Sequence, residues 1–251
     1  MYPALLKNGD ILFLDLSHLM CHQMFFHGEL SHESYAAPFL NSVLKPGDVF
    51  IDVGANIGYI TKVASKLVGN EGIVHAIEPM PEAIRLLEVN CKNLHNIVLH
   101  KLAASDVSGT SLFSIKKRGD TSALGASPLA IRQIKIQVDT LDNILAAQKM
   151  IDVLKIDVEG YELEVLRGAK DILDRCAPLL YFEYIDAFAS ERRVTIKDYK
   201  SYLSPFGYTL AWVNPKYPDS ELTSSEPSCY VIGIPNNNKW SNLPVSHLIN
   251  T

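Results

Sequence analysis

The stretch VFIDVGANIGYIT, Val49 to Thr61, constrains the fold more than any other part of the chain. Val49, Phe50, Ile51 and Val53 form the short apolar run of a buried parallel strand, with Asp52 near its carboxyl end. Gly54-Ala55-Asn56-Ile57-Gly58 then turns the chain, and Ile60, Val63, Ala64 and Leu67 follow at helical spacing. A strand that opens through a glycine turn onto a helix belongs to an open α/β sheet. Ligands of such sheets sit beyond the carboxyl ends of the strands. The spacing also narrows the ligand. A dinucleotide turn uses three glycines, G-x-G-x-x-G, so that backbone can close on a pyrophosphate. Asn56 stands in the second glycine's place, and the Gly-Lys-Ser/Thr of a P-loop is missing. A nucleoside cofactor without phosphates fits better.

The rest of the chain repeats the alternation. Strands are expected at Ile73–Ile77, Ile97–Lys101, Val153–Ile156 and Leu179–Phe182, with helices after the first turn, after Pro81 and after residue 160. Ser111–Ile115 and Ile134–Val138 read as an inserted hairpin around a loop from Gly119 to Pro128. Tyr208–Val213 and Cys229–Ile234, joined by a polar loop over 214–228, look antiparallel. The expected class is α/β, a mostly parallel sheet with helices on both faces. Residues 1–48 read as an N-terminal appendage with one strand near Ile11–Leu14 and one helix near Ser34–Leu44. Residues 49–235 form the main domain and 236–251 a tail.

Composition bounds the partners. A net charge of −5 and a pI near 5.9 argue against a nucleic-acid backbone, which needs clustered cations. Lys116-Lys117-Arg118 is the only compact basic run, and a solvated turn accounts for it. The four cysteines are widely spaced, which suits a reducing compartment, and no apolar run approaches the roughly 20 residues that span a bilayer. The start of the chain lacks a signal-peptide pattern, so a soluble cytoplasmic protein is expected. His18 and His22 could share a helix face, but His27 and His32 follow at steps of five. No HExxH or cysteine pair supports a metal site, and none is expected.

Carboxylates end three strands: Glu78, Asp157 and Glu183. Glu78 lies where a two-pronged acceptor can take both hydroxyls of a ribose, the alternative being a cap on the following helix. Together the segments VFIDVGANIGYIT, HAIEPMPEAIRLLEVN, KLAASD, VDTLDNIL, DVLKIDVEGYELEVLRGA and LLYFEY resemble the FkbM family of S-adenosylmethionine-dependent O-methyltransferases over roughly residues 45–185. The resemblance implies a seven-stranded class I methyltransferase sheet of Rossmann-like form, its last strand antiparallel. It implies S-adenosyl-L-methionine as cofactor, held by Asp52, Gly54, Asn56, Gly58 and Tyr59 at the first turn and by Glu78 at the ribose. Ala104 and Ser105 match the adenine region, though turn chemistry explains them equally. Asp157 and Glu159 fall where the methyl donor faces its acceptor. Either one could deprotonate a hydroxyl, with Glu183 orienting it across the pocket, while Glu159 and Glu162 could instead favour the next helix start. Lys155, inside a strand, reads as structural.

The implied acceptor is a small hydroxylated molecule, a sugar or a natural product, with Tyr35, Phe39, Tyr184 and Trp212 as possible walls or core. Two other readings remain at this point. One is an NAD-dependent oxidoreductase; the other is a catalytically silent nucleoside-binding module.

Overall fold

The computed structural model describes residues 1–17, 19–28, 36–116, 123–124, 130–213, 229–237, 239–240 and 243, with residues 19, 20, 116, 123 and 229 described by backbone alone. The chain begins with a hairpin, β1 (Tyr2–Leu5) and β2 (Ile11–Leu14), then α1 (Leu19–His27) and α2 (Ala36–Val43). Next come β3 (Val49–Val53), α3 (Tyr59–Val68), β4 (Ile73–Ile77), α4 (Pro81–Cys91) and β5 (Ile97–His100). The insertion holds β6 (Ala103–Ala104), β7 (Gly109–Lys116), β8 (Ala123–Leu124) and β9 (Ala130–Asp139) in a separate four-stranded sheet. After α5 (Leu141–Ile144) the chain returns through β10 (Val153–Ile156), α6 (Glu162–Arg167), α7 (Lys170–Arg175) and β11 (Leu179–Tyr184). It ends with α8 (Asp186–Glu191), α9 (Ile196–Leu203), β12 (Tyr208–Val213) and β13 (Cys229–Pro235).

The central sheet has seven strands in the order β12-β13-β11-β10-β3-β4-β5. The five from β11 to β5 are parallel, and β13 runs antiparallel between β11 and β12. Strand order reverses between β3 and β10, so the switch point lies where Gly54 and Asp157 end those two strands. Every residue of β3, β10 and β11 is buried, as a sheet covered on both faces demands.

Two cores flank the sheet. Ile51, Val53, Leu154, Ile156, Leu180 and Phe182 point to α6, α7 and α9. Phe50, Val74, Val153, Leu179 and Tyr181 point to α2 and α3. The ring of Phe39 on α2 stacks on Tyr181 at 4.7 Å, and Trp240 near the end of the chain joins the same cluster. Burying each such side chain contributes roughly 1.5–3 kcal/mol. The boundaries expected after residues 48 and 235 therefore divide one continuous core. The β1–β2 hairpin and α1 pack separately, on Ile57 and Leu86. Asn90 pins that hairpin beside the first turn: it accepts from Phe13 N–H at 2.7 Å and donates to the Ile57 carbonyl at 2.8 Å.

Phe39, Tyr184 and Trp212 are core residues rather than pocket walls, exposed by 3% or less. Tyr35, His18, His32, most of the tail and the two loops expected to frame the acceptor lie outside the described residues, apart from Ala123 and Leu124. His22 bonds the Leu16 carbonyl, and among the described residues no three His, Cys, Asp or Glu side chains gather as metal ligands. No described helix is long and apolar enough to cross a membrane.

Candidate functional site

The site begins at the turn after β3. Gly54 has φ +77°, and a Cβ there would lie 1.8 Å from the Asp157 carbonyl oxygen. A close approach that requires glycine is thus made to the neighbouring strand end. Asn56 sits in the left-handed region at φ 49°, which Asn tolerates better than most residues. That conformation aims its N–H at Glu78 Oε2, 2.9 Å away, while Met80 N–H reaches Oε1 at 2.8 Å. Gly58, at φ +86°, lacks room for a side chain because Leu87 and Cys91 of α4 lie 3.0 and 3.2 Å from the would-be Cβ. Its role is to seat α3 on α4. Tyr59 is half-buried between the hairpin cluster and the sheet.

Glu78 is almost fully buried, and burial pushes its carboxyl up to about 7 against the pull of the two amide donors. Each oxygen accepts one amide, which leaves further lone pairs for a ligand's hydroxyls.

Asp52 departs from expectation. Its carboxylate is fully buried, 3.0 Å from Lys155 Nζ and accepting the Thr61 hydroxyl at 2.6 Å. A side chain enclosed in that way cannot present itself to a ligand's ammonium; it anchors the turn from beneath. Ala104 packs in the main core, and Ser105 donates its N–H to the Asp139 carbonyl at 2.9 Å and its hydroxyl to Asp106 at 3.3 Å. No hydrogen bond among the described residues links them to Glu78.

Across the switch point, the segment after β10 is held in an unusual shape. Glu159 has φ 59° and Gly160 φ 96°; a side chain at residue 160 would meet Phe188 Cβ at 2.9 Å. A non-glycine residue in the left-handed region costs on the order of 1–3 kcal/mol, so something must hold it. Glu162 does: its buried Oε1 accepts from Val158 N–H at 3.0 Å and Gly160 N–H at 3.1 Å. Burial pushes the Glu162 carboxyl up to about 7.

Asp157 is partly exposed, and its described partners both fall on Oδ2. Tyr230 donates its hydroxyl at 3.0 Å and Lys155 Nζ stands at 3.8 Å. No described residue donates to Oδ1. Glu183, opposite Tyr230 in the β11–β13 register, is 9% exposed and has no hydrogen bond among the described residues. Burial, with the charges of Asp157, Glu159 and Glu162, raises its carboxyl well above the usual range. The rim therefore carries one carboxyl whose anion is disfavoured beside one held by the Tyr230 hydroxyl with an ammonium nearby.

Four participants went unassigned or misassigned in the sequence. A lysine within the apolar run VLKI must be paired if the strand is buried, and that was the available signal for Lys155. Glu162 in VEGYE was visible only as a helix-start acid. Thr61 and Tyr230 carried no signal, since their contacts depend on α3 and β13 docking beside the sheet.

This strand order, with the ligand crevice at the β3/β10 switch point, is the fold of the class I S-adenosylmethionine-dependent methyltransferases. Residues 52–210 match the methyltransferase FkbM domain, and the chain belongs to that family. S-adenosylmethionine is its cofactor. The chain is 29% identical over 147 residues to a probable cobalt-precorrin-6B C(15)-methyltransferase of Saccharolobus solfataricus, covering 51% of this chain and 71% of that protein. It is 29% identical over 163 residues to the 31-O-demethyl-FK506 methyltransferase FkbM of Streptomyces tacrolimicus, covering 51% and 62%. Among solved structures it is similar to methyltransferase FkbM from Methylobacillus flagellatus KT, with TM-score 0.51 and 17% identity, covering 88% of this chain and 56% of that one. A putative rRNA-methylase from Clostridium thermocellum has TM-score 0.52 and 11% identity, covering 80% and 94%. The family removes the dinucleotide oxidoreductase reading.

The donor set fits the cofactor. Its ribose needs acceptors of the kind Glu78 offers, and its two cationic centres suit a rim carrying Asp157 and Glu159. A pH dependence follows. The Glu78 anion, the form that accepts both hydroxyls, dominates above about 7 and is lost as pH falls through that value. Affinity for S-adenosylhomocysteine, measured by calorimetry, should fall by up to about tenfold per pH unit below that point. Glu78→Gln should remove this dependence; an unchanged pH profile in that variant would reject Glu78 as the ribose acceptor.

Proposed function

We propose that the protein transfers the methyl group of S-adenosylmethionine to a hydroxyl oxygen of a small hydroxylated acceptor, a sugar residue or a natural product. When bound, the cofactor supplies a methyl already activated on a sulfonium. What the chain must add is alignment of an alcohol oxygen and a destination for its proton. Asp157 is the residue we assign as base. Tyr230 and Lys155 hold its Oδ2, while its Oδ1 has no described donor and is the acceptor left for a substrate hydroxyl. Glu183, at the neighbouring strand end, faces a second oxygen of the acceptor and fixes its orientation. Glu159 stands beside them, and its left-handed backbone turns the segment at the rim.

The observation that carries this reading is the placing of two carboxyls at neighbouring strand ends: Asp157, whose Oδ2 takes the Tyr230 hydroxyl and whose Oδ1 has no described donor, and Glu183, which makes no hydrogen bond among the described residues. Net negative charge supports a small-molecule rather than a nucleic-acid acceptor, and widely spaced cysteines support a cytoplasmic setting. The test is transfer of a radiolabelled methyl group to a panel of sugars and polyhydroxylated macrolides. Label should appear in at least one hydroxylated acceptor and in none whose hydroxyls are blocked. A protein that binds S-adenosylhomocysteine yet labels no acceptor in the panel would favour the silent module instead.

A further inference from the structure

We propose that Lys155 is a positioning residue of the cofactor site, a single buried ammonium that braces the two strand ends between which the cofactor sits. The assignment rests on the reading of this rim as the cofactor site. Lys155 lies at the third position of β10, facing Asp52 across β3 and Tyr181 across β11. It is 3% exposed, so its charge is matched by protein groups. Nζ stands 3.0 Å from Asp52 Oδ1, 3.2 Å from the Gly54 carbonyl and 3.8 Å from Asp157 Oδ2. These three groups belong to different parts of the site. Asp52 anchors the turn through Thr61 on α3. Gly54 begins the turn itself and is pressed against the Asp157 carbonyl. The Asp157 side chain faces the rim, where Tyr230, stacked on Tyr181 at 4.6 Å, steadies it from β13.

A lysine that served only to neutralise Asp52 would need neither the Gly54 carbonyl nor Asp157 within reach. Among the described residues, Lys155 is the cation that reaches both edges of the cradle, so its loss releases them together. Removing it also strands the buried Asp52 carboxylate, so a simple variant confounds folding with binding. Pairing it with Asp52→Asn separates the two.

The experiment measures thermal unfolding of the ligand-free protein and calorimetric affinity for S-adenosylhomocysteine in wild type, Asp52→Asn, Lys155→Met and the double variant. Lys155→Met should lose both stability and affinity. The double variant should regain most of the stability, because no buried charge is left alone. Its affinity should stay about tenfold or more below wild type, the size of one charge-assisted hydrogen bond. Asp52→Asn alone leaves Lys155 its contacts with the Gly54 carbonyl and Asp157, so it should lose less affinity than the double variant. Affinity that recovers along with stability in the double variant would overturn the proposal. So would an Asp52→Asn variant as weak as the double variant, since the effect would then run through Asp52. Wild type that takes up no S-adenosylhomocysteine would reject the cofactor site itself, and this assignment with it.

Discussion

Asp157→Asn should lower methyl transfer by about 10²–10⁴-fold, the usual contribution of a positioned general base. Asparagine keeps the shape and can still accept from the Tyr230 hydroxyl, which now lies 3.0 Å from Oδ2. What it loses is basicity at the second oxygen, the atom with no described donor. Affinity for S-adenosylhomocysteine should change far less than turnover, because a neutral isostere preserves the strand-end geometry. Measuring both on one preparation checks the assignment. Full turnover in Asp157→Asn would move the base to Glu159, whose Gln variant is then the next to lose activity. Glu183 is the poorer choice, because burial and three neighbouring carboxylates disfavour its anion.

Gly54→Ala should abolish cofactor binding, with a stability cost of about 3 kcal/mol or more. The position has φ +77°, which already disfavours any side chain, and the added methyl would overlap the Asp157 carbonyl oxygen at 1.8 Å. Backbone on both sides would have to move, because that carbonyl cannot swing aside as a side chain can. The movement would displace Asp157 and break the amides from Gly54 and Ala55 to the Ile77 carbonyl, 3.0 and 3.2 Å long. Gly58→Ala is the contrast. Its obstacles are the flexible ends of Leu87 and Cys91, so it should fold with a smaller loss. Thermal unfolding and calorimetry of the two variants side by side make the comparison. Equal behaviour would mean that the Gly54–Asp157 contact is not what ties the strand ends.

Much of the architecture is legible in the sequence. Apolar runs bounded by turn residues mark all seven strands of the central sheet, because strands buried on both faces leave little choice of residue. The inserted hairpin was visible as well, though β7 and β9 extend beyond the expected cores to Gly109–Lys116 and Ala130–Asp139. β1, α1, β6, β8, α5, α8 and α9 are not marked in the sequence reading. Of these α9 carried a usable signal, a capping box in which Thr195 and Asp198 bond each other's backbone. α1 is apolar over most of its length, LMCHQMFFH, and periodicity cannot separate such a segment from a strand.

The site divides along a similar line. Glu78, Asp157 and Glu183 stand at strand ends, where position in the chain already implies position in space. Lys155 and Tyr230 matter through partners 103 and 73 residues away, Asp52 and Asp157 respectively, and only strand pairing brings those together. Asp52 shows the opposite error. Its place at the end of β3 suggested a ligand contact, yet the residue directly across the sheet is a lysine, and the pair closes on itself.

The proposed chemistry is tested most directly by the atom to which the methyl group becomes attached. Incubating the protein and a labelled acceptor from the panel with S-adenosylmethionine carrying ¹³C in its methyl group, then recording a carbon–proton correlation spectrum of the product, identifies that atom. A methyl resonance of an ether, correlated with the carbinol carbon of the acceptor, is the expected result. A methyl bonded to carbon would contradict the account and align this chain with the C-methylating relative instead.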